Sequence, residues 1–159
     1  MNEIDKNAST IMTNVTTKIF MTDGMDAPSY SRDGDAAIDL KASKDITIPA
    51  RDHKLVPTGF HIAIPENHVG LLFPRSGNAL NDGIGLRNSV GVIDSNYRGD
   101  VGAILDNATD EEFHVTRNTR IAQLIIIPIP HVTLESCSKK EFDNLNTNRG
   151  DKGFGSSGK

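Results

Sequence analysis

"PTGFHIAIPENHVGLLFPR", residues 57–75, decides the fold. Prolines at 57, 65 and 74 cut it into short segments, and Phe60, Ile62 and Ile64 fall on one side of an alternating run. Successive side chains of an extended strand point to opposite faces, so this period of two, punctuated by Pro and Gly, predicts short strands of a sandwich or barrel. The pattern reaches back to Asp45 and forward through "GVIDSNY" (91–97), "DVGAIL" (100–105), "EFHVT" (112–116) and "RIAQLIIIPI" (120–129). The last run is almost continuously apolar, which predicts a strand covered on both faces. Helical spacing is confined to "SGNALND" (76–82), where Ser76 is expected to cap one short helix ending at Gly83. The fold class is all-β.

The 159 residues suit one domain with a real core. A net charge of −4 provides no global basic field, so stable nucleic-acid binding is not expected and an anionic ligand must be met by local donors. No stretch is apolar enough to span a bilayer, and the opening residues, with acids at Glu3 and Asp5 and no apolar core, are not expected to act as a signal peptide. Residues 1–17 read as a polar extension, 18–147 as the β domain and 148–159 as a flexible C-terminal arm. Cys137, the single cysteine, fits a reducing compartment and is expected near the end of a strand. Histidines 53, 61, 68, 114 and 131 are not at metal-binding intervals.

Polar residues interrupt the strands at a few places. Asp39 sits between core-like positions in "AAIDLKA" (36–42), as either a strand-edge acid bonded to a turn or a carboxylate facing a cation's water. Arg75 and Ser76 lie at the entrance of the expected helix, where guanidinium, hydroxyl and free backbone N–H groups suit a phosphate; taken alone, they are better read as a surface ion pair and a simple cap. "GLRNSVGVIDSNYRGD" (85–100) delivers Asn88, Asp94, Tyr97 and Arg98 between glycines at 85, 91 and 99, and is expected to form a hairpin. An acid beside phosphate donors orients and deprotonates water for in-line attack, and a nearby ring leaves no space for an extra sugar hydroxyl. Gln123 inside the apolar run needs a hydrogen bond, from a neighbouring backbone or a ligand. The closing "RGDKGFGSSGK" (149–159) has P-loop spacing from Gly153 to Lys159 but lacks the flanking strand and helix.

In order, "AAIDLKA", "PRSG", "GLRNSVGVIDSNYRGD", "RIAQLI" and "RGDKGFGSSG" resemble the five motifs of the homotrimeric dUTP diphosphatase (dUTPase) family, spanning Ala36 to Gly158. The resemblance implies a jelly-roll-like distorted β-barrel with at most one short helix, a mobile arm, and three active sites shared between subunits. It implies Mg²⁺-assisted hydrolysis of dUTP to dUMP and pyrophosphate, limiting uracil incorporation into DNA, in the cytoplasm, the nucleus or a viral host's cytoplasm. Asp94 would activate the water that attacks the α-phosphorus, and Tyr97 would pack against deoxyribose. Asn88 with the backbone of Gly91, Val92 and Ile93 would read the uracil edge. Arg75, Ser76, Gly77 and Gln123 would hold the phosphates, Asp39 would contact a metal-bound water, and Arg120 would be more structural. From the arm, Arg149, Gly155, Ser156 and Ser157 would add donors while Phe154 stacks over uracil.

Two positions depart from the family pattern: Ala37 stands where glycine is usual, and Asn96 where an aspartate is. Two other readings share the scaffold. A dCTP deaminase would need a catalytic glutamate near "NYRGD", where none lies. A nucleotide-dependent module that grips a regulatory protein partner is compatible with the same motifs.

Overall fold

The computed structural model describes residues 15–22 and 24–151. The outer segments are β1 (Ile19–Met21), β2 (Ile38–Lys41), β3 (Ile46–Ile48) and β4 (His53–Val56). The stretch that predicted the fold supplies β5 (Phe60–Ile62) and β6 (His68–Pro74). After α1 (Ser76–Asn81) come β7 (Ile84–Leu86), β8 (Gly91–Ile93), β9 (Ala103–Asn107), β10 (Phe113–Val115), β11 (Arg120–Pro128) and α2 (Lys139–Asp143).

All pairings are antiparallel: a four-stranded sheet in the order β2-β11-β6-β8, a three-stranded sheet β4-β9-β7, and the pairs β1-β5 and β3-β10. Phe60, Ile62 and Ile64 are all buried, as their alternation predicts, and join Leu40, Val56, Leu72, Leu105 and Leu124 in one core. The architecture is all-β and jelly-roll-like. The expected barrel is corrected in one respect. Among the described residues no sheet closes on itself, because the chain passes between sheets through loops rather than through unbroken hydrogen bonding.

β11 is paired on both edges, with β2 and with β6. It carries a β-bulge between Arg120 and Ala122, opposite Lys41 and Leu40. The extra residue lets neighbouring Ile121 and Ala122 both face the core, each at most 1% exposed. Burial on both faces holds for this first half only, since Ile127 to Ile129 are exposed.

Asn107 is the main buried polar anchor. Its amide donates to the carbonyls of Ile48, Pro49 and Glu111 (3.3, 3.1 and 2.8 Å), and its Oδ1 accepts from the Thr109 amide and hydroxyl. These bonds tie β9 to the end of β3 and to the 108–112 turn. Among the described residues no buried side-chain polar atom lacks a partner, as expected where burial without one is costly.

Several expectations are corrected. α1 forms where predicted, but Arg75 is its N-cap and Ser76 its first residue, with no side-chain capping bond. A second helix, α2, is present. Its capping box joins Ser138 and Glu141, and Lys139 pairs with Asp143 at 2.6 Å. It buries none of its residues, so no apolar periodicity announces it. β7 and β8 are not partners in a hairpin: β7 pairs with β9 and β8 with β6, and the chain changes sheet at 87–90. Cys137 is exposed in the irregular stretch before α2 rather than at a strand end. No helix among the described residues is long and apolar enough to cross a membrane.

Gly70 lies where the central sheet leaves little room for a side chain. A methyl there would stand 3.2 Å from Ile93 Cβ, 3.3 Å from Leu124 Cδ1 and 2.7 Å from Ile64 Cδ1. Gly70→Ala is therefore expected to destabilise the domain by about 1–3 kcal/mol, measured by urea unfolding.

Candidate active site

Strand register brings Asp39, Gln123 and Phe73 level with one another on β2, β11 and β6. The bulge keeps Arg120 on this same face, because Arg120 pairs with Lys41, two residues from Asp39. Just past the end of β6, Arg75 donates through Nε to Asp39 Oδ1 at 2.8 Å, and Arg120 Nη1 donates to Asp39 Oδ2 at 3.3 Å. Asp39 thus acts as a clamp on two guanidiniums. Both Arg75 and Asp39 are about three-quarters buried, which makes their pair more than a solvated surface contact. With Nε committed, the terminal amino groups of Arg75 remain for a ligand.

Gln123 donates from its side-chain amide to the Pro74 carbonyl at 2.9 Å, so a backbone partner satisfies it. It still lines a cleft of about 520 Å³ together with Asp39, Arg75, Ser76 and Gly77. Ser76 and Gly77 are exposed in the first turn of α1, where N–H groups have no partner within a helix. A larger cavity of about 610 Å³ adjoins the other side of the clamp, toward Met21, Met25, Lys41 and Arg120.

The remaining predicted residues gather elsewhere. Asn88, Gly91, Val92, Ile93, Asp94 and Tyr97 line a second cleft of about 230 Å³. Ser89 adopts φ 60° in the turn that leads into it. Asp94 follows β8 and is exposed, and its carbonyl accepts from the Tyr97 amide at 3.1 Å. Arg98 folds back onto its own loop, donating to the Ser95 and Tyr97 carbonyls at 2.7 Å each, which makes it a loop brace. Asn96 is exposed beside Asp94. Arg149 is exposed in the segment after α2; Phe154, Gly155, Ser156 and Ser157 lie outside the described residues.

One contributor escaped the sequence reading. The Asp100 carboxylate accepts from the Thr58 amide (3.0 Å), the Thr58 hydroxyl (3.1 Å) and the Gly59 amide (2.9 Å), pinning the end of the Asp94 loop to the turn before β5. The only hint was an acid in an "RGD" triplet, which has no distinguishing local pattern.

No group of three or more His, Cys, Asp or Glu among the described residues could hold a metal ion. Each Asp39 oxygen takes one guanidinium bond and, with two lone pairs apiece, retains capacity to accept from a water. The side chains therefore fit a cation held chiefly by a ligand's phosphates and touched through water.

The described residues thus form a β domain with one donor-lined cleft beside Asp39 and Arg75 and a second that holds Asp94 and Tyr97. The dUTPase family model matches residues 23–158. The chain is 41% identical over 135 residues to the deoxyuridine 5′-triphosphate nucleotidohydrolase of Anaeromyxobacter sp. (strain Fw109-5), covering 85% of this chain and 89% of that protein. It is 43% identical over 141 residues to the enzyme of the same name from Rhizobium leguminosarum bv. trifolii (strain WSM2304), covering 86% and 87%. The dUTPase of Staphylococcus bacteriophage 80alpha, solved with dUpNHpp, matches with a TM-score of 0.82 at 25% identity, over 91% of this chain and 99% of that one. A mutant dUTPase from phage phi11 of S. aureus, described with a structural Mg(II) ion, matches with a TM-score of 0.73 at 21% identity, over 80% and 100%. The chain belongs to the dUTPase family.

Two glycines of the clefts differ in what they tolerate. A methyl on Gly91 would stand 3.1 Å from Leu72 Cβ and 3.6 Å from Asn88 Nδ2, whereas one on Gly77 meets nothing within 4 Å. Gly91→Ala should lower the thermal midpoint by several degrees in differential scanning fluorimetry. Gly77→Ala, in a helix, should leave it unchanged or raise it.

Proposed function

We propose that this chain hydrolyses dUTP to dUMP and pyrophosphate by attack of water on the α-phosphorus. The observation that carries the reading is the Asp39 clamp, which presents Arg75 beside Ser76, Gly77 and Gln123 in one cleft of a dUTPase-family domain. Arg75 and the first-turn N–H groups of α1 bind phosphate oxygens, the guanidinium through parallel N–H bonds. Asp94 takes a proton from the attacking water as the bond from the α-phosphorus to the bridging oxygen breaks and pyrophosphate leaves. Asn88 and the backbone of Gly91, Val92 and Ile93 read the uracil edge. A cytosine reverses the exocyclic donor–acceptor pattern and leaves those groups unpaired. Tyr97 lies against the deoxyribose.

Strand geometry supports a site shared between subunits. Asp94 follows Ile93, which pairs with Gly70, whereas Gln123 pairs with Phe73 across the same sheet. At about 3.3 Å per residue and about 4.8 Å between strands, Asp94 stands roughly 16–20 Å from Gln123, Arg75 and Asp39 of its own chain. A base must approach the attacking water to about 3 Å. The phosphate cleft of one chain therefore works with the Asp94 loop of another, in the homotrimer that the motifs imply. The arm completes the site: Arg149, Gly155, Ser156 and Ser157 add donors and Phe154 stacks on uracil. Mg²⁺, held chiefly by the triphosphate, would offset part of its charge, and Asp39 would accept from a metal-bound water. The exposed thiol of Cys137 suits a reducing cytoplasm.

Pyrophosphate release measured with dUTP, dCTP, dTTP and UTP in the presence of Mg²⁺ should be strong for dUTP and at least tenfold weaker for the others; correctly folded protein inert toward dUTP would sink the reading. Asp94→Asn should retain dUpNHpp binding in calorimetry while hydrolysis falls about a hundredfold or more. Normal hydrolysis by that variant would remove Asp94 from the role of base.

A further inference from the structure

We infer that Asp100 and Gly99 are positioning residues that set the sugar discrimination of the site, a role that rests on the placement of Tyr97 against deoxyribose. The Tyr97 hydroxyl donates to the Asp100 carbonyl at 2.9 Å, so the ring is tethered to the backbone of the residue three positions on. That backbone is itself immobilised. Each Asp100 carboxylate oxygen takes a backbone amide, Thr58 N–H at 3.0 Å and Gly59 N–H at 2.9 Å, in a turn where Gly59 has φ 68°. Thr58 is 1% exposed, and its hydroxyl donates to the same carboxylate or to the Val101 carbonyl (3.1 and 2.9 Å). Gly99 leaves the space into which the phenol folds, since a methyl group there would overlap the ring oxygen and its carbon. Just before it, the His61 imidazole meets the Arg98 carbonyl at 3.1 Å.

The ring itself is 43% exposed, so packing covers only part of it and its hydroxyl bond contributes to its placement. The ring is thus positioned by its seat on Gly99 and by this chain of bonds, from the buried turn through Asp100 to the phenol. A ring that excludes one hydroxyl has to be placed to within a fraction of an ångström, and small misplacements cost catalysis heavily. Asp100→Asn keeps the volume but sets an amide donor against one of the two N–H groups. Tyr97→Phe breaks the chain at its other end and leaves the turn intact.

The test is kcat/KM for dUTP and for UTP in the parent, Asp100→Asn, Tyr97→Phe, the double variant and Tyr97→Ala, with thermal midpoints alongside. Asp100→Asn and Tyr97→Phe should each lower the dUTP-to-UTP ratio by roughly tenfold, and the double variant should be no worse than the weaker single, because both cut one linkage. A purely structural Asp100 would lower the thermal midpoint and leave the ratio within twofold of the parent, which would overturn the inference. Should Asp100→Asn fail to fold, an unchanged ratio in Tyr97→Phe overturns it alone. If Tyr97→Ala keeps the parent's ratio, the placement of Tyr97 fails, and the inference with it. A parent inert toward dUTP instead removes the functional reading itself.

Discussion

The cleft beside Asp39 and Arg75 depends on one extra residue in β11. Without the bulge at Ile121, Arg120 and Gln123 would point to opposite faces, because they are three positions apart in a strand with a period of two. With it, Arg120 pairs with Lys41 and Gln123 with Asp39, so all four share a face. The same insertion turns Ile121 and Ala122 together into the core, anchoring the distortion with apolar burial. β11 is hydrogen-bonded along both edges, so the register of its neighbours follows from its own. The clamp on Asp39 is thus a consequence of strand pairing, set before any ligand arrives.

The second cleft is held differently. Its loop follows a three-residue strand at the edge of the sheet, where ladder hydrogen bonds are few. Order comes instead from side chain-to-backbone bonds: Arg98 onto its own loop, His61 against the Arg98 carbonyl, and Asp100 onto the Thr58–Gly59 turn. Rigid pairing thus places Asp39, Arg120 and Gln123, and a pinned loop places Asp94 and Tyr97.

The sequence exposed the strands because each alternation reports burial of one face, as at Phe60, Ile62 and Ile64. Asp39 and Gln123 stood out because polar groups in apolar runs demand partners, and both find them. α2 was hidden because its stability is local: a capping box and one i,i+4 pair, with no buried stripe. The separation of β7 from β8 was hidden because short-range patterning marks strands without naming their partners. Asn107 and Asp100 were hidden for a third reason. Their partners lie up to 59 and 42 positions away, so nothing adjacent in sequence distinguishes them from surface polar residues.

A net charge of −4 gives the protein no long-range attraction for a polyanion, so orientation has to replace field strength. The clamp illustrates the exchange. Two guanidiniums and one carboxylate sum to +1 (2 − 1), less than the +2 that Arg75 and Arg120 would offer without Asp39. What Asp39 supplies in return is an Arg75 held through Nε at the lining of the cleft, with its terminal amino groups not used by that bond. A flexible arginine would have to lose rotamer freedom when phosphate arrives, a cost already met here during folding. Preorganisation of this kind favours a ligand whose oxygens match the fork over one that merely carries charge.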